Sequence, residues 1–125
     1  MPRFSIVIPT HDRGENGPKW MRELLDSLKI QTFQDFDIVV PDQSKNDKIL
    51  DTCKEYSEDF EFTYIRYEGE VPCENINIGL RECTGEIVKI MFSDDVFVDS
   101  NALQIINDCL LYTSDAADDS FRVDG

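Results

Sequence analysis

Short β-branched runs alternate with segments of helical periodicity along most of this 125-residue chain, and that alternation restricts the fold more than any other feature. Phe4 to Ile8 reads as a strand stopped by Pro9, and a polar loop follows with Pro18 suited to a first helical turn. Trp20, Met21, Leu24, Leu25 and Leu28 recur at helical spacing and predict an amphipathic helix from about Lys19 to Ile30. Phe36 to Val40 predicts a second strand, ended by Pro41, and Lys48 to Ser57 a second helix burying Ile49, Leu50, Cys53 and Tyr56. Phe62 to Tyr67 predicts a third strand. Glu74 to Cys83 predicts a third helix, with Ile76 and Leu80 on its apolar face and Thr84-Gly85 closing it. Ile87 to Phe92 is an almost unbroken apolar run, the pattern of a strand covered on both faces, and a last helix is expected from Ser100-Asn101 onward. A β-α-β-α-β-α-β-α order implies α/β class: a Rossmann-like, mostly parallel sheet with helices on both faces and right-handed crossovers.

Ligands of such sheets bind outside the carboxyl ends of the strands. Three polar clusters fall at predicted ends: Pro9-Thr10-His11, Asp42-Gln43-Ser44 and Ser93-Asp94-Asp95. The adjacent carboxylates Asp94 and Asp95 repel one another, and a hard divalent cation carrying phosphates would offset that charge. The alternative is a solvated turn in which the pair caps the following helix. With 26 acidic against 12 basic residues and a net charge of -14, the chain lacks the basic surface that nucleic-acid binding requires. The four cysteines form no Cys-x-x-Cys pair and read as reduced thiols, and the single histidine, His11, rules out a three-histidine metal site. No apolar run reaches the roughly 20 residues of a membrane span, and the amino-terminal residues offer no secretory h-region, so a cytoplasmic location is expected.

The segment Phe4 to Arg13 resembles the opening strand of family 2 glycosyltransferases of the GT-A fold. Leu25 to Val40 resembles that family's first helix running into its second strand. Asn77-Ile78-Gly79-Leu80 followed by Thr84-Gly85-Glu86-Ile87-Val88 resembles its Asn-x-Gly helix and the strand before its Asp-x-Asp region. The likeness covers roughly Arg3 to Asn107. It implies the nucleotide-sugar-binding half of a transferase that moves a sugar from a nucleotide diphosphate donor, typically a UDP-sugar, to an acceptor hydroxyl on a saccharide or lipid-linked saccharide. Pro9, Thr10, His11, Arg13, Asp42, Ser44, Asn77 and Asp94 are the implied nucleotide-binding residues, with Asp42 reading the base. Asp95, with Asp94, is the implied ligand set for Mn²⁺ or Mg²⁺. Ile76 stands where the family often has an Arg, and Phe92 and Ser93 precede the aspartates where a strict Asp-x-Asp would begin earlier. A non-catalytic nucleotide-binding or assembly domain of the same fold is the alternative reading, and a receiver-like phosphoacceptor domain is a weaker one.

The residues from Cys109 to Gly125 resemble the translation of a transposase sequencing adapter, so native sequence is expected over 1–108 and a non-native tail over 109–125. No residue before that tail suggests the catalytic base or acceptor wall that a complete transferase needs, and the fragment is expected to be inactive.

Overall fold

A computed structural model describes residues 2–11, 16–92 and 95–110. Four strands form one sheet in the order β3-β2-β1-β4: β1 (Phe4–Val7), β2 (Phe36–Asp42), β3 (Phe62–Arg66) and β4 (Ile87–Ile90). Every pairing is parallel, with Phe4 beside both Phe36 and Ile87, and Ile38 beside Phe62. Three helices connect them: α1 (Gly17–Lys29), α2 (Lys48–Glu55) and α3 (Pro72–Arg81). A further helix, α4, spans residues 102–110. The α/β class and the mostly parallel sheet are as the alternation predicts.

Strand periodicity divides the side chains of β1 between two layers. Phe4, Ile6 and the following Ile8 pack with Met21, Leu24, Leu25 and Leu28 of α1, Ile49 and Cys53 of α2, and Leu103 of α4. Burial pushes the Cys53 thiol up to about 12, so it stays a neutral, apolar filler. Ser5 and Val7 face the opposite layer, where α3 lies. There the backbones approach closely: a Cβ on Gly79 would stand 2.7 Å from Pro41 Cγ, and one on Gly85 2.5 Å from the Ser5 backbone nitrogen. The Gly85 N–H donates to Ser5 Oγ at 2.8 Å, and Ser5 Oγ donates to Asp37 at 2.7 Å, which ties the entry of β4 to β1 and β2.

Three expectations need correction. Pro41 does not end β2, which runs on through Asp42. The proline lacks only an N–H; its carbonyl still accepts from the Thr10 N–H at 3.0 Å. The apolar face of α3 is turned by about one residue, so that Asn75 and Gly79 face the sheet rather than Ile76 and Leu80. Close packing over Pro41 and Val7 favours the residue without a side chain at that contact. Finally, β4 is an edge strand covered on one face only. Met91 is buried, whereas Val88, Ile90 and Phe92 are 42%, 38% and 52% exposed.

Gln31 and Thr32, read from sequence as a plain connector, carry the return of the chain. Gln31 Nε2 donates to the Asp99 carbonyl at 2.9 Å, its Oε1 accepts from the Leu103 N–H at 3.1 Å, and the Thr32 N–H donates to the Ser100 carbonyl at 2.8 Å. One side chain thus satisfies an otherwise orphaned amide in the first turn of α4. Arg3 adds a second tie, with Nε donating to Asn107 at 2.7 Å and an ion pair to Glu86 at 2.6 Å. Among the described residues no helix is long and apolar enough to cross a membrane. All four cysteines are free thiols.

Candidate nucleotide-binding site

The chain after β1 stays beside β2 beyond the named strand. The Ile8 N–H donates to the Val39 carbonyl at 2.8 Å, and the Gln43 N–H donates to the Thr10 carbonyl at 3.0 Å, which bridges Thr10 to Asp42. This extension carries Pro9, Thr10 and His11 to the carboxyl end of the sheet, opposite the first turns of α3. Between them lies a cavity of about 300 Å³ lined by Pro9, Thr10, His11, Gln43, Pro72, Asn75, Ile76 and Phe92. Its walls are largely apolar with a few polar groups, the usual make-up of a small-molecule pocket.

Asp42 lies beneath, with none of its surface exposed. Its carboxylate accepts from Thr10 Oγ1 at 2.9 Å, from the Ser44 N–H at 2.9 Å and from the Tyr64 hydroxyl at 2.5 Å. Arg66 donates in turn to the Tyr64 hydroxyl at 3.0 Å and pairs with Asp47 at 2.7 Å. A line of hydrogen bonds therefore runs from the surface guanidinium through a phenol to a buried carboxylate and out to Thr10. Burial, then the bond to Asp42, pushes the Tyr64 phenol well above its ordinary value, so it stays a donor. A buried carboxylate without such donors would be strongly disfavoured; Tyr64 and Thr10 supply them from strands on either side of β2.

The structure brings Pro9, Thr10 and His11 together around the cavity with Asp42 below, as the strand-end reading expects. Ser44 is buried next to them and lines a neighbouring groove with Gln43, Lys45, Arg66 and Glu68. Asn77 is not with them. It is exposed and lines a separate groove with Tyr67, Glu74, Ile78 and Arg81, because two residues along a helix is more than half a turn away from the sheet-facing Asn75. Arg13 and Asp94 lie outside the described residues. Asp95 is exposed; its Oδ2 accepts from the Phe92 N–H at 3.1 Å and its own N–H donates to the Phe92 carbonyl at 2.8 Å. Those two bonds tie Asp95 to the backbone of Phe92, with the carboxylate exposed. Among the described residues no three His, Cys, Asp or Glu side chains cluster as a metal site.

Asn75 and Tyr64 are site residues that sequence reasoning missed, whereas Gln43, which lines the cavity, stands in the Asp42-Gln43-Ser44 cluster. Asn75 was discoverable, since Asn75 and Gly79 share one helical face and neither is apolar enough for plain core. Tyr64 was not, because only the pairing of β2 with β3 sets it against Asp42.

The glycosyl transferase family 2 model matches residues 5–119. The chain is 31% identical over 94 residues to glycosyltransferase GlyA of Streptococcus pneumoniae, covering 74% of this chain and 13% of the relative. It is 27% identical over 95 residues to an uncharacterized glycosyltransferase of Rickettsia felis, covering 76% and 15%. It therefore spans under a sixth of the length of both relatives. Among solved structures, S. aureus TarS 1-349 in complex with UDP superposes with a TM-score of 0.76 at 27% identity, over 88% of this chain and 32% of that one. The mannosyltransferase PcManGT of Pyrobaculum calidifontis, solved with GDP-Man and Mn²⁺, shares the fold at 24% identity, with a TM-score of 0.66 over 82% of this chain and 32% of that one. With the parallel sheet, the strand-end cavity and a family match over most of its length, this chain belongs to glycosyl transferase family 2.

Proposed function

We propose that the strand-end cavity binds the nucleoside of a nucleotide diphosphate sugar, and that the protein of which this fold is the donor-binding half transfers the sugar to an acceptor hydroxyl. The observation that carries this reading is the built junction of Thr10 with Asp42, which fixes an apolar-walled cavity where parallel sheets hold ligands. TarS, also solved with UDP-GlcNAc at 26% identity, supports a UDP-sugar as the donor. Pro9, Pro72, Ile76 and Phe92 offer the flat, apolar surface that a base requires, and Thr10 and His11 border it. Asp42 acts from below as a positioning residue. It holds Thr10 and the Ser44 amide in place, and Ser44 borders the same nucleotide-binding rim; a nucleotide-binding role for Arg13 rests on the family resemblance alone.

The donor chemistry of Asp95 fits a divalent cation: it is an exposed hard-oxygen ligand held by the Phe92 amide. Mg²⁺ and Mn²⁺ commonly bind through one or two carboxylates plus substrate phosphates, and Asp94 would be the second. Such an ion would neutralise the diphosphate as leaving group. In the transfer, the acceptor oxygen bonds the anomeric carbon, the carbon–oxygen bond to the diphosphate breaks, and the acceptor proton passes to a base. We place that base and the acceptor wall outside this chain, which by itself binds donor without turnover. The exposed face of β4 and the greater length of the relatives support this division.

Calorimetric titration with UDP, with and without Mn²⁺, tests the reading. Binding strengthened by Mn²⁺ in the unmodified chain and no longer strengthened in Asp95→Asn is the expected result. Equal affinity with and without metal would remove the metal from the proposal, and absence of UDP binding would remove the nucleotide.

A further inference from the structure

Two hollows open at the carboxyl end of the sheet, and Gln43 lines both. The cavity of about 300 Å³ lies between the β1 extension and α3. A groove of about 260 Å³ lies on the β3 side, lined by Gln43, Ser44, Lys45, Arg66 and Glu68. β2 runs between β1 and β3, so the residue that follows it stands between the two hollows. Gln43 is 7% exposed and is held at both ends. Its backbone N–H donates to the Thr10 carbonyl at 3.0 Å. Its Nε2 makes a long contact of 3.5 Å to the Gly69 carbonyl, in the loop that leads from β3 to α3. The side chain therefore extends from the end of β2 towards that loop instead of out into water.

We infer that the Gln43 side chain is the partition that closes the base end of the cavity and sets the size of base admitted, a pyrimidine rather than a purine. The inference rests on the proposed nucleotide-binding role of the cavity. Strand order orients the nucleotide. Its diphosphate belongs near Asp95, which is tied to Phe92 on the β4 side of the cavity, where water and a cation reach it. β2 lies two strands away from β4, about 10 Å at the usual strand spacing, so the base at the far end of the nucleotide comes to Gln43. A second fused ring would have to occupy the space that the carboxamide fills, and a packed site resists such an insertion. Cutting the side chain back to Cβ joins the cavity to the groove and frees room for that ring. TarS holds UDP and PcManGT holds GDP-Man on this same fold, so the sheet does not itself choose the base. An obstructing side chain at the strand end is one way to make that choice.

The test measures the affinities of UDP and GDP by calorimetry, in the presence of Mn²⁺, on the unmodified chain, Gln43→Ala and Gln43→Met. The unmodified chain should prefer UDP by at least about tenfold, the discrimination met by a misfitting group in a packed pocket. Gln43→Ala should bring the two affinities close to equality, through tighter binding of GDP. Alanine serves better than glycine because it adds no backbone freedom at the bond to Thr10. Methionine fills nearly the same volume without the amide, so Gln43→Met should keep the preference for UDP. Loss of the preference in Gln43→Met would assign the choice to hydrogen bonding and overturn the inference. An unchanged preference in folded Gln43→Ala overturns it too, as does GDP binding equal to or tighter than that of UDP in the unmodified chain. In each of these cases a nucleotide still binds and the nucleotide reading stands. Binding of neither nucleotide by the unmodified chain overturns both. If Gln43→Ala does not fold, Gln43→Ser makes the same opening with a polar side chain, and the comparison on the unmodified chain needs no variant.

Discussion

β2 ends in Asp42, and Asp95 follows β4 by five residues, yet the two aspartates are held in opposite ways. Asp42 is sealed, with donors from β3, from the β1 extension and from its own turn. Asp95 lies in the open and, among the described residues, is held by the backbone of Phe92. The difference follows from strand order. β2 has neighbours on both sides that can send side chains to its end, whereas β4, among the described residues, pairs with β1 alone and leaves Val88, Ile90 and the following Phe92 exposed. A carboxylate at an interior strand becomes part of the framework, and one at an edge stays available for a ligand. The same sheet thus has one finished side that shapes a cavity and one side with an unpartnered apolar face of the kind that marks an interaction surface.

Substituting the two aspartates should break this symmetry of sequence most visibly. Asp42→Ala strands the Thr10 and Tyr64 hydroxyls and the Ser44 amide, each at a cost of about 1–3 kcal/mol where no water reaches. Asp95→Ala should stay within about 0.5 kcal/mol of the unmodified chain, as exposed substitutions usually do. Urea unfolding of the two variants reads the difference directly. Similar destabilisation by both would mean that the two strand ends are not built differently.

A smaller effect is expected from pH. The Tyr64 phenol is raised above its ordinary value near 10.0, chiefly by burial and then by the bond to Asp42. Its folded form holds the proton more tightly than the unfolded chain, so its contribution is fully present below about pH 10 and is lost as pH rises through the folded value. Tyr56 and Cys53, each raised to about 12 mainly by burial, lose stability in the same alkaline direction. Melting temperature should therefore fall steeply above about pH 10, and Tyr64→Phe should flatten part of that fall. An unchanged alkaline slope in Tyr64→Phe would show that the phenol is not held as the structure places it.

The smallest effect on stability is expected on the open side. Val88→Lys or Ile90→Lys should leave the unfolding free energy within about 0.5 kcal/mol, while lowering self-association of the chain at high concentration, measured by light scattering. A large loss of stability would mean that this face is covered within the chain.

The sequence by itself determined the element order, the parallel sheet and the convergence of Pro9-Thr10-His11 with Asp42, because β-branched runs and helical periodicity are local and the crossover rule carries them to a topology. It also carried the family resemblance through the Phe4–Arg13 and Leu25–Val40 segments. Tertiary structure alone decided which polar residues face the cavity. Asn75 rather than Asn77 lines it, because close contact of Gly79 with Pro41 sets the rotation of α3, and one residue of helix turns a side chain by about 100°. Tertiary structure also decided that the apolar run Ile87 to Phe92 is an edge strand and not a central one. An apolar run records how hydrophobic a strand is, but which neighbours cover it depends on strand order, a property of the whole sheet. The occupation of Asp42 was decided the same way: its donors come from Thr10, 32 residues before it, and Tyr64, 22 residues after it, brought within reach only by pairing across the sheet.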